Sequence, residues 1–206
     1  MCKNSECFFC QELEDRTSNL TKTNRIVWET KNFVVFPTEG CFQIGYLLVM
    51  PKQHFLCFGE LDSEALTELE EILEKITVYV REKSGDECII FEHGTRNIEK
   101  LTSTSIMHAH IHVIPSKKEL VPFLPDYCEL CKVKGFSDLA KETDNYLFLR
   151  DVSGVNYIVK NDNYPAQFFR AVICKSMGIS RYWNWRQFPF KENMLITLDY
   201  YEGLRK

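Results

Sequence analysis

The sequence has no long apolar run, few glycines and prolines, and no excess of basic residues. No apolar run approaches the ~20 residues of a membrane helix, and the N-terminal residues lack the basic start and apolar stretch of a secretory signal. Nine glycines and seven prolines in 206 residues exclude collagen-like and low-complexity chains. A net charge of −4 does not favour binding to nucleic acid polymers. We therefore expect a cytoplasmic protein without a membrane partner.

The chain is rich in core-forming residues, since 45% of it is hydrophobic and 13% is aromatic. This composition excludes wholesale disorder, and the length suits one large domain or a domain with an appendage. All five histidines lie between His54 and His112, whereas aromatic residues gather after Pro122. We therefore divide the chain into a catalytic domain at residues 1–118 and an aromatic-rich C-terminal extension at residues 119–206, packed on it.

Local patterns predict strands gathered around one long helix. Asp62 and Ser63 suit a helix N-cap, apolar residues then recur at helical spacing, and Ser84-Gly85 ends the pattern. The predicted strands of the first domain are 32–36, 44–50, 87–92 and 106–114. The extension shows a hairpin over 145–150 and 155–160, a helix from Pro165 toward Gly178, and a last helix over 192–204. The predicted fold class is α+β.

The most informative segment is His108-Ala-His-Ile-His-Val-Ile114. Side chains alternate between the two faces of a strand, so its three histidines share one face while Ala109, Ile111 and Val113 pack on the other. Such a row suits either a metal platform or the binding of a polyanionic group such as phosphate. In the second case the central imidazole is neutral and nucleophilic near pH 7, and its neighbours donate hydrogen bonds or a proton.

Nine cysteines in a reducing compartment do not indicate a disulfide framework. Four of them form two Cys-x-x-Cys pairs, Cys7/Cys10 and Cys128/Cys131. This spacing places two thiolates on one zinc ion, so the four together are one candidate zinc shell.

Two segments together resemble the histidine triad (HIT) superfamily of nucleotide hydrolases and transferases. The histidine segment has the family's full signature, and Gly45-Tyr-Leu-Leu-Val-Met-Pro-Lys-Gln-His54 is similar to its Gly-His-x-Leu-φ-φ-Pro-Lys-x-His segment, where φ is apolar. The resemblance covers residues 7–118 and implies an α+β fold with a HIT-like antiparallel sheet and one long helix. An α/β C-terminal extension follows, in which 165–170 and 183–186 resemble CwfJ-type HIT relatives.

The resemblance implies an enzyme that cleaves a phosphoanhydride or phosphoramidate bond at the α-phosphate of a small-molecule nucleotide. His110 would attack phosphorus and form a nucleotidyl-histidine intermediate, and His112 would bind the phosphate and assist the leaving group. Implied substrate-binding residues are Ser105, Thr104, His93 and Glu92. The alternative is a non-catalytic nucleotide- or RNA-associated binding module that uses the triad to grip phosphate.

The resemblance also implies a structural zinc site, because zinc-bearing HIT proteins carry a Cys-x-x-Cys pair near the N-terminus. The corresponding ligands here are Cys7, Cys10, His54 and His108. We favour this mixed shell over the four-cysteine shell because it accounts for both histidines.

Smaller HIT relatives pair through a shared sheet, which implies a homodimer unless the extension covers that surface.

Two positions near the expected site depart from the family's signature segments. Tyr46 replaces the usual histidine after Gly45, and Ser103-Thr104-Ser105 replaces the usual Gly-Gln-Ser/Thr.

Overall fold

A computed structural model describes residues 7–14, 25–97, 107–160 and 164–205. The strands are β1 (Trp28–Glu29), β2 (Phe33–Pro37), β3 (Leu47–Pro51), β4 (Glu87–Gly94), β5 (Ile111–Ser116), β6 (Glu129–Val133), β7 (Tyr146–Arg150) and β8 (Asn156–Lys160). The α-helices of these described ranges are α1 (Phe8–Glu14), α2 (Ser63–Ser84), α3 (Phe168–Ser176) and α4 (Lys191–Tyr200). No helix among these residues is long and apolar enough to cross a bilayer.

The strands form one eight-stranded sheet in the order β1-β2-β3-β5-β4-β7-β8-β6, and all of its pairings are antiparallel. This architecture confirms the α+β class with one long helix. The extension contributes three strands to this sheet. Strand β7 pairs with β4, β8 pairs with β7, and β6 pairs with β8.

Helix α2 has the boundaries that its sequence predicts. The side chain of Asp62 accepts a hydrogen bond from the amide of Ala65 at 2.8 Å, and Gly85 ends the helix in the left-handed conformation. Its buried stripe consists of Ala65, Leu69, Ile72, Leu73, Ile76 and Val80. This stripe packs against one face of the sheet, contacting a cluster that includes Val49, Ile90 and Val113.

The opposite face of the sheet is covered by elements from both ends of the chain. Phe9 of α1 and Phe169 and Ile173 of α3 belong to a second buried cluster, together with Phe91 and Leu48 of the sheet. The sheet therefore lies between two layers, and the N-terminal segment and the extension meet on the same side.

Three elements were not predicted from sequence: β1, β6 and α1. Strand β1 has only two residues, and β6 is a half-exposed edge strand without strong alternation of apolar side chains. The predicted hairpin and the helix after Pro165 are confirmed, as β7–β8 and α3. The last helix ends at Tyr200, and a short 3-10 turn, Glu202–Leu204, follows.

The histidine strand begins later than predicted, at Ile111, so His108 and His110 precede it. The ladder with β3 ends at the Val49–Ile111 pair, and the Ala109 amide instead donates to the carbonyl of Phe55 at 2.8 Å. The start of the predicted strand, Ile106, lies outside the described residues.

Gly40, after β2, is a contact point between the first 118 residues and the extension. Its φ of +71° is left-handed, and an added Cβ would lie 2.3 Å from Trp185 Cβ and 2.6 Å from Arg170 Nη2. The Gly40 carbonyl accepts a hydrogen bond from Arg170 Nη2 at 2.7 Å, and its amide donates to the carbonyl of Pro189 at 2.8 Å. Only glycine fits this junction.

We predict that Gly40→Ala destabilises the protein more than Gly85→Ala. Both glycines have a left-handed φ, which costs about 1–2 kcal/mol for alanine, but nothing lies within 4 Å of an added Cβ at Gly85. The clash at Gly40 adds about 1–3 kcal/mol of overpacking. Urea unfolding of the two variants measures the difference, and equal losses would contradict this view of the junction.

Candidate active site and metal cluster

The histidine segment presents its imidazoles to the face of the sheet that α1 and α3 cover. Ala109, Ile111 and Val113 are buried on the α2 side, as the alternation predicts. The rings of His110 and His112 lie 4.9 Å apart between centroids. The ring of Phe91 stacks on His112 at 4.3 Å with an interplanar angle of 12°, which fixes the plane of that imidazole.

His110 and His112 line a cavity of about 370 Å³ between the sheet, α1 and α3. Aromatic side chains from three regions of the chain form most of its wall: Phe8, Phe9, Phe36, Phe91, Phe168, Phe169 and Trp185. Polar groups at the same wall include Arg25, Thr38, Glu39, His93, Thr95, Gln167, Arg170 and Arg186. A concave, largely apolar pocket with a few convergent polar groups is the usual form of a small-molecule site.

The tautomer of His110 follows from one backbone contact. His110 Nδ1 lies 2.7 Å from the carbonyl oxygen of His108. A carbonyl only accepts hydrogen bonds, so Nδ1 carries the proton and Nε2 keeps its lone pair. The His110 side chain therefore presents an unprotonated nitrogen at the cavity.

The cavity holds its imidazoles in the neutral form. Burial lowers the pKa of His110 below its ordinary value. Burial also lowers the pKa of His112 well below its ordinary value, and the neighbouring His110 and the charge of Arg170 act in the same direction. His93 lines the same cavity, and burial with the proximity of His110 lowers its pKa to about 4.

Glu92 lies on the other face of β4, and the cavity does not include it. Its buried carboxylate accepts hydrogen bonds from the Phe58 amide at 2.7 Å and from the Tyr146 hydroxyl at 2.8 Å. Burial raises its pKa to about 7. This position does not support a substrate-binding role, because neighbouring residues of a strand point to opposite faces and His93 takes the cavity side.

Other expected site residues divide between the cavity and the rest of the structure. Ser105 and Thr104 lie outside the described residues. Among the apolar residues of β2 and β3, Phe36 and Leu48 line the cavity, whereas Phe33 packs on the α2 side. The cavity also contains residues that sequence reasoning did not place there, including Phe8, Arg170 and Arg186.

A cluster of Cys7, Cys10, His54 and His108 adjoins the cavity, and their ligand atoms all lie within 4.8 Å of one another. Cys7 Sγ and Cys10 Sγ lie 3.5 Å and 3.6 Å from His108 Nδ1, and Cys10 Sγ lies 3.3 Å from His54 Nδ1. A tetrahedral zinc ion separates sulfur and nitrogen ligands by about 3.6 Å, given Zn–S of about 2.3 Å and Zn–N of about 2.0–2.1 Å. The four residues therefore fit a closed tetrahedral shell.

His108 is oriented for such a shell by a second contact. Its Nε2 lies 2.8 Å from the carbonyl oxygen of Pro51 and donates to it, which leaves Nδ1 unprotonated toward the two thiols. The four-cysteine shell is wrong, because Cys7 and Cys10 meet the two histidines. Cys128 and Cys131 are half-buried at β6, at the edge of the sheet, outside this cluster.

Comparisons with known proteins find relatives of the first part of the chain. The family model of the HIT domain matches residues 19–119. An uncharacterized HIT-like protein from Saccharolobus solfataricus is 24% identical over 121 residues, which are 59% of this chain and 81% of that protein. With the complete histidine signature inside it, the match identifies residues 19–119 as a HIT domain.

The solved structures that the chain matches include two further HIT proteins. A hypothetical histidine triad nucleotide-binding protein from Sulfolobus tokodaii strain 7 has 16% identity and a TM-score of 0.43, covering 96% of this chain and 93% of that chain. A zinc-bound histidine triad family protein from Mycobacterium smegmatis has 18% identity and a TM-score of 0.44, covering 68% of this chain and 91% of that chain. The resemblance of the extension to CwfJ-type relatives stays a prediction.

We predict that Glu92 makes the protein less stable as the pH rises from 4.5 to 7. Its folded pKa of about 7 exceeds the ordinary 4.5, so the folded state holds a proton that the unfolded chain has lost. The contribution is complete below pH 4.5 and is lost toward pH 7, by up to about 3 kcal/mol at 1.36 kcal/mol per pKa unit.

Urea unfolding of the wild type and of Glu92→Gln at a series of pH values tests this. The stability difference between the two proteins should shift in favour of Glu92→Gln as the pH rises from 4.5 to 7. A difference that does not change with pH would contradict a raised pKa at Glu92.

Proposed function

We propose that this protein is a HIT-type nucleotide hydrolase or nucleotidyltransferase in which His110 is the nucleophile. The observation that carries this proposal is the hydrogen bond between His110 Nδ1 and the His108 carbonyl at 2.7 Å. It leaves the Nε2 lone pair available at a cavity of about 370 Å³, large enough for a small-molecule ligand.

The reaction takes place in two displacements at the α-phosphorus of the nucleotide. In the first, His110 Nε2 attacks phosphorus, an N–P bond forms, and the bond from phosphorus to the leaving oxygen or nitrogen breaks. In the second, a water or an acceptor alcohol attacks phosphorus and the N–P bond breaks, which frees the imidazole. Two easier steps replace one difficult step, which is the advantage of covalent catalysis.

His112 is the second catalytic residue of the proposal. Its ring lies 4.9 Å from that of His110 and lines the same cavity. A ring N–H there donates a hydrogen bond to the phosphoryl oxygens and to the leaving atom. This stabilises the negative charge that develops on them, and the ring keeps its proton throughout. His93, on the neighbouring strand, lines the same cavity and supports substrate binding.

The cavity wall suits the two parts of a nucleotide. Aromatic side chains such as Phe9, Phe36 and Trp185 offer stacking surfaces for a base. The guanidinium groups of Arg25 and Arg186 line the same cavity, and guanidinium groups bind phosphate oxygens with matched geometry. This combination favours a small nucleotide over an uncharged apolar ligand.

We further propose that Cys7, Cys10, His54 and His108 hold one structural zinc ion. When bound, zinc supplies cross-linking of the N-terminal helix to the histidine segment, without an open coordination position for chemistry. Phe8 and Phe9 lie between the two cysteines and line the cavity, so the same ligands fix one wall of the site. His108 is thereby assigned to the metal and not to phosphoryl transfer.

We predict that the wild type releases AMP from adenylyl-lysine analogues or dinucleoside polyphosphates and that His110→Ala does not. Loss of a nucleophile removes the covalent route, so turnover should fall by at least about 10³-fold. Chromatographic measurement of AMP release tests this, with Cys131→Ser as a control remote from the cavity. Tight nucleotide binding without turnover by the wild type would contradict the enzyme and support the non-catalytic binding module.

We predict one zinc per chain in the purified protein, lost in Cys7→Ser and in His54→Ala but retained in Cys128→Ser. Each ligand variant leaves three donors where a closed tetrahedral site needs four. Atomic emission spectrometry measures the metal, and nucleotide affinity should fall along with it because α1 lines the cavity. Full zinc occupancy in both His54→Ala and His108→Ala would contradict this shell.

A further inference from the structure

The side chain of His112 is held by a residue that departs from the family signature and by a residue of the extension. The hydroxyl of Tyr46 lies 2.6 Å from His112 Nδ1. Nη1 of Arg170, in α3, donates to the same hydroxyl at 3.1 Å. All three groups thus form a hydrogen-bonded chain that ends at the cavity.

The direction of this chain follows from the chemistry of its first member. A guanidinium only donates, so the Tyr46 oxygen accepts from Arg170. Tyr46 is completely buried, and an undonated hydroxyl proton there would be costly. Within the described part of the chain, His112 Nδ1 is the acceptor that this proton reaches. His112 Nδ1 is therefore unprotonated, and the proton of the neutral ring is on Nε2.

We infer that Arg170 and Tyr46 are positioning residues that fix His112 as the Nε2–H tautomer, and that the extension thereby completes the active site. The catalytic consequence rests on the proposed function, because His112 needs a proton on the nitrogen that faces the cavity to assist the leaving group. Without these two hydrogen bonds, the imidazole of His112 exchanges between two neutral tautomers. One of them has no proton on the nitrogen that faces the cavity.

Arg170 itself is held in a manner that points to this role. It is 3% exposed, and its other donors bind the carbonyl oxygens of Trp183 at 2.9 Å and Gly40 at 2.7 Å. Its guanidinium lies 5.0 Å from the ring centre of Phe42 and 5.3 Å from that of Tyr46. No carboxylate forms an ion pair with it among the described residues.

Burying a guanidinium without a carboxylate partner costs desolvation free energy, so this arrangement is not explained by a gain in folding stability. Carbonyl oxygens and ring faces hold it in place but leave its positive charge uncancelled. That charge lies one hydroxyl away from His112, where it opposes protonation of Nδ1 and so favours the tautomer that donates toward the cavity. The stacked ring of Phe91 restricts the same imidazole to one plane.

The test has a spectroscopic arm that does not depend on activity. Two-bond proton–nitrogen correlation spectra of protein with isotope-labelled histidine, assigned with His112→Asn, report which ring nitrogen carries the proton. We expect wild-type His112 to be an Nε2–H tautomer, and Tyr46→Phe and Arg170→Met to shift it to a tautomer mixture. Tyr79→Phe is the matched control, because its hydroxyl donates to a carbonyl, that of Tyr200, on the α2 side.

A kinetic arm measures the consequence with a dinucleoside polyphosphate. Because general acid–base groups contribute about 10²–10⁴-fold, we expect Tyr46→Phe and Arg170→Met to lower kcat by about tenfold or more. KM should change little, and Arg170→Lys should recover part of kcat. Thermal unfolding of each variant shows that it is folded at the assay temperature.

An Nδ1–H tautomer in the wild type, or an unchanged tautomer in a folded Tyr46→Phe, would overturn the positioning role. A rise in KM with constant kcat would overturn it as well, because it would assign Tyr46 and Arg170 to ground-state binding. Absence of turnover in the wild type, with the expected tautomer, would instead contradict the proposed function and leave the hydrogen-bonded chain confirmed by the spectra.

Discussion

The side-chain alternation of one extended segment determines where the three histidines of the triad lie. Residues 108, 110 and 112 face one side of the sheet, because side chains repeat every second residue along extended backbone. Their apolar neighbours Ala109, Ile111 and Val113 are buried against the long helix. A shift of this segment by one residue would turn the imidazoles toward the long helix and the apolar residues toward the cavity. The hydrophobic core therefore enforces the register of the site.

Each end of this row is held by a different part of the chain. At one end, His108 meets the two cysteines of the N-terminal segment, and at the other His112 meets Tyr46, which contacts Arg170 of the extension. The central imidazole presents an unprotonated nitrogen to the cavity, since its other nitrogen donates to a backbone carbonyl. These contacts at both ends restrict the motion of the imidazoles, and catalytic groups must stay within about 0.5 Å of the productive geometry.

The extension provides residues of the cavity wall as well as strands of the sheet. Strand β7 pairs with β4, the strand that provides His93 and Phe91, and α3 provides part of the cavity wall. The edge of β4 that would otherwise be open is thus covered within the chain, so pairing of two chains through this edge would require β7 to leave. Trp185 and Arg170 reach the junction at Gly40 from the same segment.

Features that depend on nearby residues could be predicted from the sequence, and features that depend on distant contacts could not. The caps of α2, the β7–β8 hairpin and the common face of the histidines follow from local chemistry and side-chain period. Helix α1 is too short for a periodic pattern, and β6 becomes a strand through pairing with β8.

Glu92 shows a signal that was available in the sequence. It alternates with Phe91 and His93, so a strand that directs His93 to the cavity must direct Glu92 away from it. Arg170 offered a weaker signal, a charged residue directly after two phenylalanines in a predicted helix. Its partner, Tyr46, is 124 positions away in sequence, and only the fold brings the two together.

The most direct test of the central claim is to trap the covalent intermediate on the histidine segment. Substrate labelled at the α-phosphate is mixed with enzyme and quenched with alkali, which preserves a nitrogen–phosphorus bond, and the labelled peptide is identified by mass spectrometry. We predict a nucleotidyl group on His110 that forms and decays within one turnover. Turnover with the label on another residue, or with no labelled residue at a competent time, would contradict the account.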